Sequence, residues 1–503
     1  MTGSDRGKPN LVLITIDVLR QDRLGCYGYR KNTSPNIDRL ARTSFVFRNA
    51  FSSGPNTPHA FIGIMASQYP FTSKELSVRN CPLTLAELLL DNGYRTQGFN
   101  AGNPWVSRYY GYDRGFSQLV DFLELQPLNN PGFKFVPKEK ELEGKKKGGK
   151  SSHFPAFPLQ NMVKRCLPQV GRQFTRRLVQ QLNERFCYID HVKVKLEIEK
   201  RFTPSVIQWI MRNDREPFFL WIHFMTVHEP YAPPMTDQFQ VNRKVLWKNA
   251  VNRLRQEAED RLKNNAVTPT YLARFSSLYD AEIRRVDGHV GNVLKALHQK
   301  GVYDRSCIIL CSDHGEEFFE HGGLFHRSKL YDELLRVPLL IHLPGQKSCQ
   351  EVIQRVGLID LLPTVADYLK IKSDISICEG ESFEGVFTGS RYHGEDRRIL
   401  AAEAFYDRNE TIFDFNPYDT CSVARRLCLR NGKLKFIVDR TQKTLAIYDV
   451  ERDPGEKDDL SKMHPRLKQI GELLVREHLR NSERRRIALL MRKHPHPTEG
   501  LCS

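Results

Sequence analysis

A threonine stands between a bend and a helix in the stretch FSSGPNTPHAFIGIMASQYP, which runs from Phe51 to Pro70. The Ser, Gly, Pro and Asn residues before Thr57 favour a tight bend, and the small apolar residues after it have helical spacing. A hydroxyl at that position can cap the helix by accepting a hydrogen bond from an unpaired backbone N–H. It can also act as a nucleophile if a neighbouring group removes its proton. The stretch alone leaves both roles open for Thr57.

Two predicted buried strands lead into groups that suit a metal ion. NLVLITID ends at Asp17, and CIILCSDHG leads into Asp313 and His314. Ligands of open α/β sheets bind beyond the carboxyl ends of the strands, where two carboxylates and an imidazole can hold a divalent cation. Asp17 could instead cap the next helix, and Asp-His-Gly could be a turn. A Thr57 hydroxyl that shared such a cation would be deprotonated and nucleophilic, which favours the catalytic role.

The elements that must position these residues follow an α/β pattern, because apolar runs alternate with amphipathic helical patterns. A helix capped by Ser34 is predicted in SPNIDRLARTSF, and TLAELLLDNGYRTQGF predicts a helix, a turn and a strand. PFFLWIHFMTVHEPY and RVPLLIHLPG are predicted buried strands, and a long helix that stops at a glycine precedes CIILCS. Near the C-terminus, strands are predicted around a hairpin turn at Asn431 and Gly432, with a helix from about Pro465.

We therefore predict one large α/β domain over 8–395, with a mixed, mostly parallel central sheet flanked by helices. A basic, low-complexity insertion over 125–202 interrupts it, and KFVPKEKELEGKKKGGKSSHFP within the insertion predicts a mobile loop. The insertion is either a solvated segment or a basic lid over an anionic substrate or a lipid surface. A small antiparallel subdomain over 396–480 and a basic tail over 481–503 complete the predicted organisation.

Composition narrows the class of protein. The 503 residues carry 76 Lys and Arg against 59 Asp and Glu, a net charge of +17 that favours acidic partners. No zinc-finger spacing supports nucleic-acid binding, so we expect no nucleic-acid partner. The first residues lack a signal pattern, and no stretch reaches the ~20 apolar residues of a membrane span. The eleven cysteines are scattered, which predicts reduced thiols and a cytoplasmic location.

These segments together resemble the sulfatase family of the alkaline phosphatase superfamily. The opening block LVLITIDVLRQDRLGCYGYRKNTSPNIDRLA resembles the family's first strand and metal-binding aspartate, and TPHAFIGIMASQYP resembles its nucleophile segment. Later blocks follow in the family's order, namely HEPY, YDAEIRRVDGHVGNVL, SDHGEEFFEHG, LYDELLRVPLLI and LAIYDVERDPGEKDDL. Counting back from Tyr69 and Pro70 places Thr57 at the nucleophile position. The resemblance implies a hydrolase of sulfate or phosphate-type esters that uses one divalent ion (Mn, Mg, Ca or Zn).

The nucleophile segment departs from a formylglycine sulfatase. Thr57 replaces the Cys or Ser that is oxidised to an aldehyde, and Phe61 stands where the modification motif has Arg. Oxidation of threonine would give a ketone, so no formylglycine is expected. An aldehyde hydrate has a second hydroxyl with which to expel sulfate, and an unmodified threonine has none. A phosphothreonine can instead be resolved by in-line attack of water or of an acceptor alcohol.

Other positions depart as well. The second aspartate of the family's opening pair is Val18, the sulfate-binding Lys and His correspond to Ala101 and Asn103, and His314 replaces Asn. The candidate metal site then consists of Asp17, Thr57, Asp313 and His314. This set is similar to the sites of lipoteichoic-acid-synthase-like and phosphoethanolamine transferases. Such a phosphotransferase is therefore one alternative function. A non-catalytic sulfatase-like protein that binds an anion is the other.

Further side chains are candidates for contact with the substrate, expected to be a small anionic ester such as a sulfated or phosphorylated glycan, lipid or alcohol. His228 and His326 are predicted to bind it or protonate the leaving group, because histidine titrates near neutrality; structural histidines are the alternative. Arg20 could brace the metal carboxylates or contact the anion, and a surface salt bridge is the alternative. Asn103 and His321 rank lower.

Overall fold

The computed structural model describes residues 7–125, 194–231, 266–389, 398–406 and 424–493, together with residues 257, 260, 261 and 264. Most of the predicted insertion at 125–202, including the predicted mobile loop and any contact with a membrane surface, lies outside the described residues. The last part of the predicted tail, from residue 494 onwards, also lies outside them.

The central sheet is mixed and mostly parallel, as predicted. Up to residue 357 the strands are β1 (Asn10–Ile16), β2 (Phe45–Phe51), β3 (Arg95–Asn100), β4 (Gln118–Val120), β5 (Phe218–Phe224), β6 (Ser306–Ser312), β7 (Glu317–Phe318), β8 (Leu324–Phe325), β9 (Arg336–His342) and β10 (Gln350–Gly357). Eight of them form one sheet in the order β10-β2-β9-β6-β1-β5-β3-β4, and β7 and β8 form a separate ribbon. Only β9 runs against its neighbours in the large sheet, being antiparallel to β2 and β6.

Helices cover both faces of this sheet. They are α1 (Pro35–Ala41), α2 (Thr57–Ala66), α3 (Pro70–Ser73), α4 (Leu85–Asp91), α5 (194–212), α6 (Pro269–Lys300), α7 (Asp332–Leu335), α8 (Leu361–Tyr368), α9 (Gly385–Thr388) and α10 (Pro465–Lys493). The apolar faces of α2, α4 and α8 belong to one core, and those of α1, α5 and α6 belong to the other. Within the described parts of the chain, we find no helix with the length and apolar composition needed to cross a bilayer.

Strand β1 shows why its sequence reads as an unbroken apolar run. Leu11 and Leu13 pack into one core, whereas Val12 and Ile14 pack into the other. Successive side chains of a strand point to opposite faces, so a strand covered on both sides needs apolar residues at every position. This burial places the end of β1, and hence Asp17, at the centre of the sheet.

Ser34 occupies the N-cap position of helix α1, as predicted, but its side chain makes no capping hydrogen bond. The Ser34 hydroxyl accepts from the backbone N–H of Gly25 and donates to Asp38. The buried Asp287 carboxylate on α6 instead accepts from the backbone N–H groups of Asn36 and Ile37, at 2.9 and 2.8 Å. A partner distant in sequence therefore satisfies the helix terminus, and the local pattern could not reveal it.

A smaller antiparallel sheet forms the C-terminal subdomain, as predicted. Its strands are β11 (Ile399–Tyr406), β12 (Ala424–Asn431), β13 (Leu434–Asp439) and β14 (Thr444–Asp449), in that order. The hairpin turn lies one residue later than predicted, at Gly432 and Lys433, because Asn431 still pairs with Leu434. Gly432 has a φ of +61°, a conformation that glycine adopts at little cost. Helix α10 continues past residue 481 to Lys493.

Candidate active site

Two acidic residues and a histidine meet at the carboxyl edge of the central sheet. Asp17 follows β1, and Asp313 and His314 follow β6, one of the two parallel neighbours of β1. Ile16 is in register with Ser312, so the residues after the two strands lie side by side. All three side chains are buried, and one ligand atom of each lies within 4.8 Å of the others.

Each of these side chains directs one lone pair into the same space. His314 Nδ1 donates to the carbonyl oxygen of Gly315 at 2.9 Å, which leaves the lone pair on Nε2. That Nε2 lies 3.5 Å from Asp17 Oδ1 and 3.6 Å from Asp313 Oδ2. Both oxygens are buried and have no hydrogen-bond partner among the described residues. Oxygen and imidazole donors left open in this way fit a divalent cation.

The electrostatics of the cluster agree with a cation site. Burial raises the pKa of Asp313 well above its usual value, and the charge of Asp17 raises it further. Burial also raises the pKa of Asp17, but the histidines around it outweigh this effect and lower the pKa. Burial lowers the pKa of His314 to about 3, so its imidazole is neutral and able to bind a metal. A divalent cation would relieve the repulsion between the two carboxylates.

Thr57 lies against this cluster. Its Oγ1 is 3.3 Å from Asp17 Oδ2 and 3.4 Å from His314 Nε2. Thr57 is the first residue of α2, and the N-cap position belongs to Asn56, so the alternative of a helix cap at Thr57 is wrong. Asp17 likewise caps no helix, because the next helical turn begins at Gln21 with Arg20 before it. The bend and α2 thus present a hydroxyl to the acidic cluster.

Asn103, at the carboxyl edge of β3, orients these groups. Its side-chain amide nitrogen donates to Asp17 Oδ2 at 2.9 Å and reaches Thr57 Oγ1 at 3.4 Å. Its amide oxygen accepts from the backbone N–H of Trp105 at 3.0 Å, which fixes the orientation of the amide. Asn103 therefore contacts the candidate nucleophile and a candidate metal ligand. Its predicted contact with substrate stays a prediction.

His223 is a site residue that the sequence reasoning missed. It lies near the end of β5, between β1 and β3, and its Nε2 is 3.7 Å from Asp17 Oδ2. Its Nδ1 lies 2.9 Å from Thr15 Oγ1, and Phe61 packs against the ring edge-to-face. A single histidine within the apolar run FFLWIHF was the available signal, because an imidazole buried among apolar side chains requires polar partners.

The predicted histidines His228 and His326 flank the cluster. Their ring centroids are 4.9 Å apart, and the His326 ring lies 4.8 Å from that of His314. His326 Nδ1 lies 2.9 Å from Glu316 Oε1, and the other Glu316 oxygen accepts from the Tyr231 hydroxyl. Burial lowers the pKa of His326, but the Glu316 carboxylate outweighs it and raises the pKa to about 9. Glu316 is a second residue that the sequence reasoning did not single out.

Two other candidates make contacts away from the cluster. The buried guanidinium of Arg20 pairs with Asp22 at 2.8 Å and with Glu320 at 2.6 Å, and both carboxylates are partly exposed, which corresponds to the salt-bridge alternative. His321 Nδ1 lies 2.6 Å from Glu333 Oε1, and its ring stacks on Tyr331. Both residues stabilise the loops after β1 and β6.

Three of the positions that depart from the sulfatase pattern, Val18, Phe61 and Ala101, carry buried apolar side chains. Phe61 packs against Trp221 and Tyr112 as well as His223. Val18 is buried with a φ of +56°, an unusual conformation for a β-branched residue, and its carbonyl accepts from the Tyr279 hydroxyl. Such strain persists where surrounding contacts enforce it, and it is found most often at functional sites.

Comparison with known proteins gives the family. The sulfatase family model matches residues 9–371, and a model described as N-sulphoglucosamine sulphohydrolase, C-terminal, matches residues 319–484.

Relatives and solved structures agree with the family models. The chain is 22% identical to an arylsulfatase of Clostridium perfringens, over 93% of this chain and 94% of that protein. It is 23% identical to an N-acetylglucosamine-6-O-sulfatase of Bacteroides thetaiotaomicron, over 90% and 82%. The phosphonate monoester hydrolase of Agrobacterium radiobacter shares the fold, with a TM-score of 0.63 and 19% identity over 94% and 96%. With the buried acidic cluster at the sheet edge, these matches show that the chain belongs to the sulfatase family of ester hydrolases.

Proposed function

We propose that this protein is a metal-dependent hydrolase in which the unmodified Thr57 attacks a small anionic ester. The contact of Thr57 Oγ1 with Asp17 and His314, at 3.3 and 3.4 Å, supports this proposal most directly. A divalent cation held by Asp17 Oδ1, Asp313 Oδ2 and His314 Nε2 would lower the pKa of the hydroxyl and offset charge on the transferred group.

The chain's own residues orient the attack. The Thr57 hydroxyl donates towards Asp17 Oδ2, while the Asn103 amide donates to both oxygens and holds them together. As the hydroxyl proton passes to Asp17 Oδ2, a bond forms between Thr57 Oγ1 and the phosphorus or sulfur, and the bond from that atom to the ester oxygen breaks. Because the Glu316 carboxylate keeps His326 protonated near neutral pH, the imidazolium can give its proton to the departing alcohol oxygen.

Release of the product favours phosphate-type esters over sulfate esters. Water attacks the phosphorylated Thr57, which frees phosphate and restores the hydroxyl. An unmodified threonine lacks the second hydroxyl that would expel sulfate by elimination. We therefore place phosphate and phosphonate esters of a glycan, lipid or other small alcohol ahead of sulfate esters, and we expect no formylglycine.

Hydrolysis of matched nitrophenyl esters tests this proposal. The purified protein would be given nitrophenyl sulfate, a phosphate monoester, a phosphodiester and a phosphonate monoester, with Mg, Mn, Ca and Zn supplied separately. We expect metal-dependent turnover of a phosphate-type ester, a loss of at least about a thousandfold in kcat for Thr57→Val, and a smaller loss for Thr57→Ser. The serine variant is the matched control, because it keeps the hydroxyl and loses only the methyl group.

Each other result has a defined meaning. Equal turnover by wild type and Thr57→Val would rule out attack by Thr57. Turnover that rises with an added acceptor alcohol, with the ester group appearing on that alcohol, would identify a phosphotransferase. A protein that binds no metal and cleaves none of the esters would be a non-catalytic anion-binding member of the family.

A further inference from the structure

His59 is a buried histidine that the proposed reaction does not use. It is the third residue of α2, two positions after Thr57, and its side chain has no contact with solvent. A neutral imidazole has one donor and one acceptor nitrogen, and its partners decide which is which.

The partners of His59 permit a single tautomer. The backbone N–H of Phe405, on β11, points at His59 Nε2 with a distance of 2.8 Å between the nitrogens. A backbone N–H can only donate, so Nε2 must carry the lone pair and Nδ1 must carry the proton. Nδ1 then donates to the side-chain oxygen of Asn56, the N-cap residue directly before Thr57.

Strand β11 also contacts the bend that precedes Thr57. The backbone N–H of Glu403 donates to the carbonyl oxygen of Ser53 at 2.9 Å. A Cβ added at Gly54 would lie 2.2 Å from His59 Cβ and 3.2 Å from the Glu403 carbonyl oxygen, so glycine is required at this close approach. The C-terminal sheet thus meets the nucleophile segment on both sides of Thr57.

We propose that His59 is a positioning residue for Thr57. Its imidazole joins Asn56 to the backbone of β11, so that the C-terminal sheet sets the position of the Thr57 hydroxyl relative to Asp17. This role rests on the proposed function, because it concerns the hydroxyl that attacks the ester. The family matches and the acidic cluster do not assign it.

Two substitutions each remove one of the two hydrogen bonds of His59, either the one to Asn56 or the one from Phe405. His59→Gln keeps an acceptor near the position of Nε2 but loses the donor to Asn56, whereas His59→Asn keeps a donor near Nδ1 but loses the acceptor for Phe405. We expect either variant to lower kcat by about tenfold or more, because small displacements of a reacting group are costly, with KM changed less than about twofold.

The matched control is His342→Gln. His342 is also buried, and its Nδ1 lies 2.6 Å from the Thr43 carbonyl oxygen. It pairs with Ile308 near the start of β6, at the end of that strand opposite to Asp313. We expect it to leave kcat and KM unchanged. Should the His59 variants not fold, Asn56→Ser removes the same bond while leaving the contact between His59 and Phe405.

Nitrogen NMR of histidine-labelled protein reads the tautomer directly, with the His59 signal identified by its loss in His59→Gln. We expect a protonated Nδ1 and an unprotonated Nε2 at neutral pH; the opposite tautomer or an imidazolium would overturn the proposal. Wild-type kcat in both His59 variants of an active enzyme would overturn this proposal alone. A wild-type protein with no turnover on any ester would overturn it together with the proposed function.

Discussion

The carboxylate of Asp17 uses its two oxygens differently. Oδ2 accepts from the Asn103 amide and from the Thr57 hydroxyl, whereas Oδ1 is buried without a hydrogen-bond partner among the described residues. Asp313 shows the same division, since its Oδ1 accepts from the backbone N–H of His314 and its Oδ2 has no such partner. Contacts behind a metal ligand fix which atom faces the ion, and their loss weakens binding.

Asn103→Ala tests whether the hydrogen bond to Oδ2 orients Asp17 for metal binding. Without the amide, Asp17 is free to rotate, and we expect the affinity for Mn to fall by about tenfold to a hundredfold. Titration calorimetry measures the Kd, and Asn10→Ala is the matched control. Asn10 is a buried asparagine at the opposite end of β1, where its side-chain oxygen accepts from the Phe218 N–H at 3.0 Å. Equal losses of affinity in both variants would contradict a specific role for Asn103.

The buried neutral state of His59 has a consequence for stability against acid. Its pKa is lowered to about 3, whereas an unfolded histidine has a pKa near 6.5. Between these values the unfolded chain binds a proton that the folded protein does not, so the stabilisation is complete above about pH 6.5 and is lost as the pH falls towards about 3.

We therefore expect wild type to lose more stability than His59→Gln on acidification, by up to about 1.4 kcal/mol per pH unit in that window. Urea unfolding at pH 7, 6 and 5 gives the difference between the two proteins. A difference that stays constant over this range would show that His59 takes up its proton at the same pH in the folded and the unfolded protein.

At the scale of elements, the bend before α2 positions Thr57 as much as the helix does. Strand β2 ends at Phe51, and the chain turns through Ser52 to Asn56 before α2 begins. The Ser52 hydroxyl donates to the Gly54 carbonyl at 2.7 Å, and Glu403 and His59 leave no space at Gly54 for a side chain. The bend is therefore shaped by its own side chains and by a strand that is more than 300 residues away in the sequence.

Gly54→Ala tests the close approach. The added methyl group would have to displace His59 or β11, and we expect a loss of about 1–3 kcal/mol in stability together with a lower kcat. Gly288→Ala is the matched control, because Gly288 lies inside α6 with open space around it. Alanine is the better helix former, so the control should gain about 0.5–1 kcal/mol. A neutral Gly54→Ala would mean that the bend and β11 can move apart freely.

At the scale of the whole molecule, the two sheets act as one unit. Phe405, Leu427, Phe436 and Ile447 of the C-terminal sheet belong to the same core as α2 and α8. The buried Lys435 of β13 also bridges Asp332, at the start of α7, at 2.7 Å and Glu456 at 2.6 Å. A buried charge with good partners is costly to leave alone, so this network ties the subdomain to the catalytic domain.

Lys435→Met should destabilise the protein strongly. It leaves the carboxylates of Asp332 and Glu456 without their shared cation, and we expect a loss of about 3–5 kcal/mol in guanidinium unfolding. Arg476→Met is the control, because Arg476 forms an exposed pair with Glu472 and should change stability by less than about 0.5 kcal/mol. Two separate unfolding transitions in wild type would contradict a single cooperative unit.

The sequence by itself determined the fold class and the core of the site. The apolar runs predicted the strands, and the polar residues at their ends predicted that Asp17, Asp313 and His314 would meet, because parallel strands end at one edge. The bend, the helical spacing and the family resemblance placed Thr57 beside them. The strands and the bend are local features, so pattern and composition suffice to predict them, whereas the assignment of Thr57 to the nucleophile position is what the family resemblance implies.

Only the tertiary structure decided which partner each polar group takes. In the structure, Arg20 forms salt bridges with Asp22 and Glu320, and the amide of Asn103 donates to Asp17. His223 lies beside Asp17, and Glu316 lies beside His326. The carboxylate of Asp287 caps α1. The structure also joins His59 to β11. Such choices depend on distances between residues far apart in the chain, and a hydrogen bond or ion pair exists only within a few ångströms. These distances cannot be predicted from the local sequence.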